Sequence, residues 1–258
     1  MSKVRVVGLC LVVVAALAAA TASSASATAP EFGRCLKTTG GKFKDAKCLT
    51  ASKPGEEKYE WFPGVVKNKF TTAIKPSTIA TLETVGGTKI TCTGEASTGE
   101  FIVGGNNKEV GKMVARFTGC ETNKLKCESA GAGTGNINTH PLGGPIGFET
   151  EVTPPSKDHL ASELHSESGN IAEFECAGLK VVVRGSVLHK ITANAMKLTA
   201  TEKFTASKGK QKPEHFAGGV AKEHILETST NGGTFEQSGQ TITGILTAEE
   251  KIEASTIN

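Results

Sequence analysis

Short runs rich in Thr, Val, Ile and Phe, broken every few residues by glycine, constrain this chain more than any other feature. They include 70–74, 78–84, 88–93, 110–118, 147–152, 172–176, 179–188 and 196–205. β-Branched and aromatic residues suit a pleated, half-buried surface, and alternation with period two marks a strand with one face inward. Met196, Leu198 and Ala200 alternate with Lys197, Thr199 and Thr201, which predicts such a half-buried strand. Val181-Val182-Val183 is a continuous apolar run, which predicts a strand covered on both faces. Gly86-Gly87 and Ala177-Gly178 read as hairpin turns, and Asn231-Gly232-Gly233 as a third. The helix candidate is 156–166, where Leu160 and Leu164 lie four apart; the same residues also alternate as a strand would. The expected fold is all-β, an antiparallel sandwich or partly closed barrel with a small N-terminal disulfide-looped segment.

The first residues read differently. Lys3 and Arg5 precede an apolar run from Val6 to Ala20, and Ala25-Ser26-Ala27 fits a small-residue cleavage site. Basic, apolar and small-residue segments in that order form a secretory signal, and the apolar run falls short of the roughly 20 residues a spanning helix needs. The expected organisation is a signal peptide over 1–27, a disulfide-looped segment over 28–64 and a β-rich domain over 65–258. No transmembrane segment is expected after cleavage, and the expected location is secreted or cell-envelope.

Export changes how the cysteines are read. Of seven, Cys10 lies in the apolar run, leaving Cys35, Cys48, Cys92, Cys120, Cys127 and Cys176. An even number in an oxidising compartment implies disulfides before metal. Local spacing favours Cys35–Cys48 and Cys120–Cys127, which leaves Cys92–Cys176.

The formal charge of +3 includes Lys3 and Arg5, so the mature chain carries 3 − 2 = +1. A near-neutral chain is not built around nucleic acid or an anionic membrane. Asp45 and Asp158 are the only aspartates, which weighs against calcium loops built on Asp. Nucleophile-elbow, zinc-protease and phosphate-loop motifs are absent. Ser207-Lys208-Gly209-Lys210 matches S-x-x-K but sits in a Lys/Gly-rich turn with no K-T-G after it. Glu149 with Glu151, and Glu173 with Glu175, share strand faces. A glycosidase needs carboxyls facing across a cleft, normally from different strands. No catalytic residue, metal site or cofactor is expected.

Two candidate binding surfaces stand out. Tyr59 and Trp61, the only Tyr and Trp, fall on one face of a strand; they form either an aromatic platform or a plug under the N-terminal loop. His159, Glu163 and His165 would share a strand face and could hold a metal, or form an exposed polar edge. The basic stretch from Lys203 to Lys212 reads as a solvated hairpin tip.

PEFGRC (30–35), GKFKDAKC (41–48) and KYEWFPG (58–64) resemble segments of an uncharacterised family of exported, cysteine-containing, β-rich proteins of high-GC soil bacteria. So do LETVGGTKITC (82–92), FTGCETNKLKC (117–127), AEFECAGLKVVVRGSV (172–187) and KGKQKPEHFAGG (208–219). The resemblance implies export and paired cysteines; it carries no activity. The leading functional expectation is a non-enzymatic binding or structural protein of the envelope or medium, its partner a cell-wall component or another protein. The alternatives are a carrier of a small apolar ligand, and a secreted hydrolase with a site assembled from distant residues such as His159 and Glu163.

Overall fold

A computed structural model describes residues 30–103, 107–150, 159–192, 195–213 and 225–255. All the regular structure described is strand: 17 strands and no helix, in one large antiparallel sheet that closes into a ring without being a regular barrel. The residues of 156–166 that are described belong to a strand, so alternation outranks the four-residue spacing there. No described helix is long and apolar enough to cross a membrane.

Three long strands organise the ring: β12 (His159–Cys176), β13 (Leu179–Thr192) and β17 (Glu236–Ser255). Around their outer halves the first storey closes. It runs β3 (Lys69–Ile74), β6 (Gly94–Ile102), β7 (Glu109–Thr118), β11 (Leu142–Thr150), β12, β13, β14 (Lys197–Ser207), β17 and back to β3. A second storey closes on the other halves. It runs β4 (Ala80–Thr84), β5 (Lys89–Cys92), β8 (Glu121–Thr122), β9 (Leu125–Glu128), β12, β13, β16 (Leu226–Thr230), β17 and back to β4. β10 (Ile137–Asn138) pairs with β7 at the join.

The storeys divide where the long strands change partner. β13 pairs with β16 up to Gly185 and with β14 from Lys190. Gly185 has φ +92°, and a Cβ there would collide with the carbonyl oxygen of Ile225. Register shifts opposite it, between His165 and Ala172, mark the same kink on β12. Bulges of this kind turn a strand and let it feed two sheets.

Predicted turns are in place. Ala177 (φ 49°) and Gly178 (φ 89°) join β12 to β13 with Cys176 opposite Leu179, the left-handed pair a two-residue hairpin requires. Lys208 (φ 52°) and Gly209 (φ 73°) join β14 to β15 (Lys210–Lys212) in the same way. That basic tip is docked: the space a Gly209 Cβ would need is filled by the backbone of Thr84 and Val85. Behind it Gln211 is buried, its Oε1 accepting from Leu188 N (3.2 Å) and its Nε2 donating to Ser186 O (3.2 Å).

Two burial expectations need correction. Val181 and Val183 point inward while Val182 is only half-buried, so the apolar run has one covered face. Leu198 is exposed, and the inward phase of β14 is carried further along by Glu202 and Phe204.

The N-terminal segment is a flap hydrogen-bonded to the ring. β1 (Glu31–Lys37) pairs with β2 (Tyr59–Pro63) on one side and with the end of β17 on the other. Its Phe32 joins the main core, with ring centroids 4.8 Å from Phe101, while Cys35, Cys48 and Trp61 form a small core of their own.

Three disulfides lock these elements: Cys35–Cys48, Cys92–Cys120 and Cys127–Cys176. The first is as expected. Cys120–Cys127 and Cys92–Cys176 are not formed, although Cys127 N does donate to Cys120 O (3.0 Å). Strand pairing overrides chain proximity here. Thr91 of β5 lies opposite Glu121 of β8, which sets Cys92 beside Cys120. Cys127 of β9 lies directly opposite Cys176 of β12.

Candidate binding cavity

Inward-facing side chains leave two cavities in the ring. The larger, about 110 Å³, lies where the storeys join; Leu82, Ile90, Met113, Leu164, Phe174 and Phe204 are among its walls. The smaller, about 50 Å³, lies towards the flap and is walled by Phe32, Phe70 and Phe101, with Leu246 and Ile252. Met113, Leu164 and Glu202 line both, so the two rooms share a wall.

The polar side chains inside are few: Thr72, Thr139 and Gln240 line the larger cavity and Ser162 the smaller, and the ionisable ones are three carboxyls and one histidine. Glu95 on β6 and Glu202 on β14 line the larger cavity; Glu202, Glu253 of β17 and His189 of β13 line the smaller. No lysine or arginine among the described residues lines either. Thr72 Oγ1 donates to Glu95 Oε1 (2.9 Å) and also bonds Ser97 Oγ. Burial lifts the Glu95 carboxyl above its ordinary range, against the pull of those hydroxyls. Burial, with the charge of Glu95 added, pushes Glu202 up to about 8. Glu253 is lifted to about 7 by burial, against the opposing pull of backbone hydrogen bonds from Cys35 and Met196 and of the Lys47 charge.

His189 is 3 % exposed and stacks on Phe204, with ring centroids 4.7 Å apart. Burial pushes it down to about 4, so it is neutral at physiological pH. Its Nδ1 has no hydrogen-bond partner, nor has Oε1 of Glu253. Buried polar atoms are paired in the great majority of cases, so two orphans in one cavity call for a cause.

The residues singled out from sequence lie elsewhere. Trp61 is buried, its Nε1 donating to Glu31 Oε1 (2.7 Å), and Tyr59 packs beside it against the Cys35–Cys48 bridge. They do share one face, and that face is the plug under the loop. His159, Glu163 and His165 occur on β12 on the face away from the cavities, but they are not an exposed edge: Glu163 is buried, His165 Nδ1 lies 3.7 Å from its Oε1, and only His159 is fully exposed, at the strand start. No group of three His, Cys, Asp or Glu that could hold a metal occurs among the described residues. Glu151 lies outside the described residues.

The acids that line the cavities were missed, although one signal existed. Glu202 falls in the same alternation phase as Ala200 and Phe204, a carboxyl where the pattern asks for an apolar side chain. His189 carried the same kind of signal, since it keeps the inward phase of Val181, Val183 and Val187 through Gly185.

Comparison with protein-family models, curated proteins and solved structures returns no match.

Proposed function

We propose that this is an exported, non-catalytic binding protein of the cell envelope or medium that carries a small apolar ligand inside its β ring. The observation that carries this reading is the cavity of about 110 Å³, apolar-walled with a few polar side chains in its lining. That composition is the usual one for a small-molecule site. An engineered dry cavity of roughly 150 Å³ lined by Leu, Ile and Phe accepts benzene, which sets the ligand scale at one ring or a short branched chain. Left empty, such a volume would cost on the order of 2–3 kcal/mol in a packed core, a cost that an occupant offsets.

Export is supported by the basic–apolar–small order of residues 1–27 and by the three disulfides, which persist in oxidising compartments. The resemblance to exported proteins of soil bacteria points the same way and adds no activity.

The test is titration of the mature protein with benzene and toluene, followed by the methyl resonances of Met113 and Leu164. Saturable shifts are expected, with Ala115→Phe abolishing them by filling the cavity that Ala115 lines. Absence of any saturable shift, together with no co-purifying small molecule in native mass spectra of protein from its own host, would sink the reading.

A further inference from the structure

We infer that the carried ligand is a small apolar carbonyl compound, its oxygen held by the side chain of Glu202 in the larger cavity. This rests on the carrier reading and names the head group of the ligand.

The protein leaves the carboxyl of Glu202 without a partner. Glu202 is 8 % exposed and lines both cavities. Strand pairing fixes it on both sides, with Ile191 of β13 and Gly244 of β17 opposite it. No hydrogen bond or cation among the described residues acts on its carboxyl. Its Oε2 lies over Gly244, 3.9 Å from where a Cβ would stand. That glycine puts no side chain beside the carboxyl, which leaves room there for a ligand atom.

A neighbouring acid decides which form Glu202 takes. Gly244 lies opposite Ile74, and Ala73 opposite Ala96, so Glu95 falls in the same cross-strand row as Glu202. Thr72 Oγ1 donates to Glu95, which supports a carboxylate there. Glu202 has no such donor, and the charge of Glu95 acts on it. Of two acids in one apolar room, the one without donors keeps its proton. Glu202, pushed up to about 8, is therefore an O–H donor at neutral pH.

A lone donor in an apolar wall selects an uncharged acceptor. A carbonyl oxygen accepts the O–H and brings no donor of its own. An alcohol would bring a second O–H in need of an acceptor. A carboxylate would add a negative charge beside Glu95, with no described lysine or arginine in the lining. The proton stays on Glu202 throughout, so binding at neutral pH neither takes one up nor releases one. The other ionisable groups lining the two cavities are Glu95 on β6, His189 on β13 and Glu253 on β17; the remaining described strands present none to them. Of these three, Glu95 alone acts on Glu202. The preference for a carbonyl is therefore lost as pH rises through 8.

The experiment compares cyclohexanone with methylenecyclohexane, which has the same shape and no carbonyl oxygen, on the mature protein. Each affinity is referred to that compound's own transfer from water to alkane. At pH 6 cyclohexanone is expected to be preferred at least about tenfold, with its carbonyl stretch at lower wavenumber than in alkane. From pH 6 to pH 9 that preference is expected to fall about tenfold. Glu202→Met is expected to abolish both the preference and the band shift. Binding of methylenecyclohexane with no preference for the ketone overturns the carbonyl head group and leaves the carrier. No binding by either compound overturns both. A preference or band shift that survives Glu202→Met overturns Glu202 as the donor, and the proposal with it. Should that variant not fold, the wild-type profile decides: a preference that falls with pH supports the proposal, and one that stays flat or rises overturns it.

Discussion

Glu202 occupies a position where strand alternation asks for an apolar side chain, and that misfit has a measurable consequence. Its folded value of about 8 stands above the ordinary 4.5, so the unfolded chain releases this proton first. The stability linked to Glu202 is full below pH 4.5 and is lost as pH rises towards 8. The loss is on the order of several kcal/mol. Glu253, lifted to about 7, loses stability in the same direction. His189 acts oppositely. Lowered from 6.5 to about 4, it contributes stability above 6.5 that is lost as pH falls to 4. Above pH 6.5 the carboxyls alone remain in play among these three, so Tm is expected to fall from there towards pH 9. Glu202→Gln should flatten that limb and raise Tm at pH 9; parallel profiles for the two proteins would contradict the assignment. Of these residues Glu202 and His189 were legible in the sequence, the first from its phase with Ala200 and Phe204 and the second from its phase with Val183 and Val187. The groups that line the cavities with Glu202 come from β6, β13 and β17, and no local pattern links them.

Elements are joined here by turns and bridges whose costs differ by context. Gly178 and Gly209 both hold left-handed φ in two-residue hairpins, but a Cβ meets nothing at Gly178 and meets the Thr84–Val85 backbone at Gly209. Gly178→Ala should cost about 1 kcal/mol, the backbone penalty alone. Gly209→Ala should cost clearly more and loosen the β14–β15 hairpin from β4, read by chemical denaturation and by amide exchange at Leu188. The disulfides differ by loop length. Cys127–Cys176 closes 49 residues and Cys35–Cys48 closes 13. In the chain-entropy model the first is worth about 4 kcal/mol and the second about 3. Replacing both cysteines of a bridge with alanine should follow that order, and non-reducing peptide maps should yield the three pairs described.

At the level of the whole molecule, the flap and the ring are one structure. β1 completes hydrogen bonds at the end of β17, and Phe32 fills the first storey against Phe70 and Phe101. Phe32→Ala should cost about 3–5 kcal/mol, the range for a buried aromatic. The variant should also join the smaller cavity to the space beneath the flap. Calorimetric unfolding checks this: a loss under about 1 kcal/mol would mean that the flap is peripheral.

Alternation, glycine turns and cysteine number determined an all-β chain, its hairpins and the Cys35–Cys48 bridge, because each depends on residues near one another along the backbone. Tertiary structure alone decided the closure into two storeys, the Cys92–Cys120 and Cys127–Cys176 pairs, and the placing of Glu95 near enough to Glu202 to raise it. Those outcomes depend on which strands become neighbours. Strand pairing joins residues as far apart as Lys75 and Thr243 through backbone hydrogen bonds that carry no side-chain signature. A period-two pattern says which face of a strand is inward, and the closed ring decides what each inward face meets.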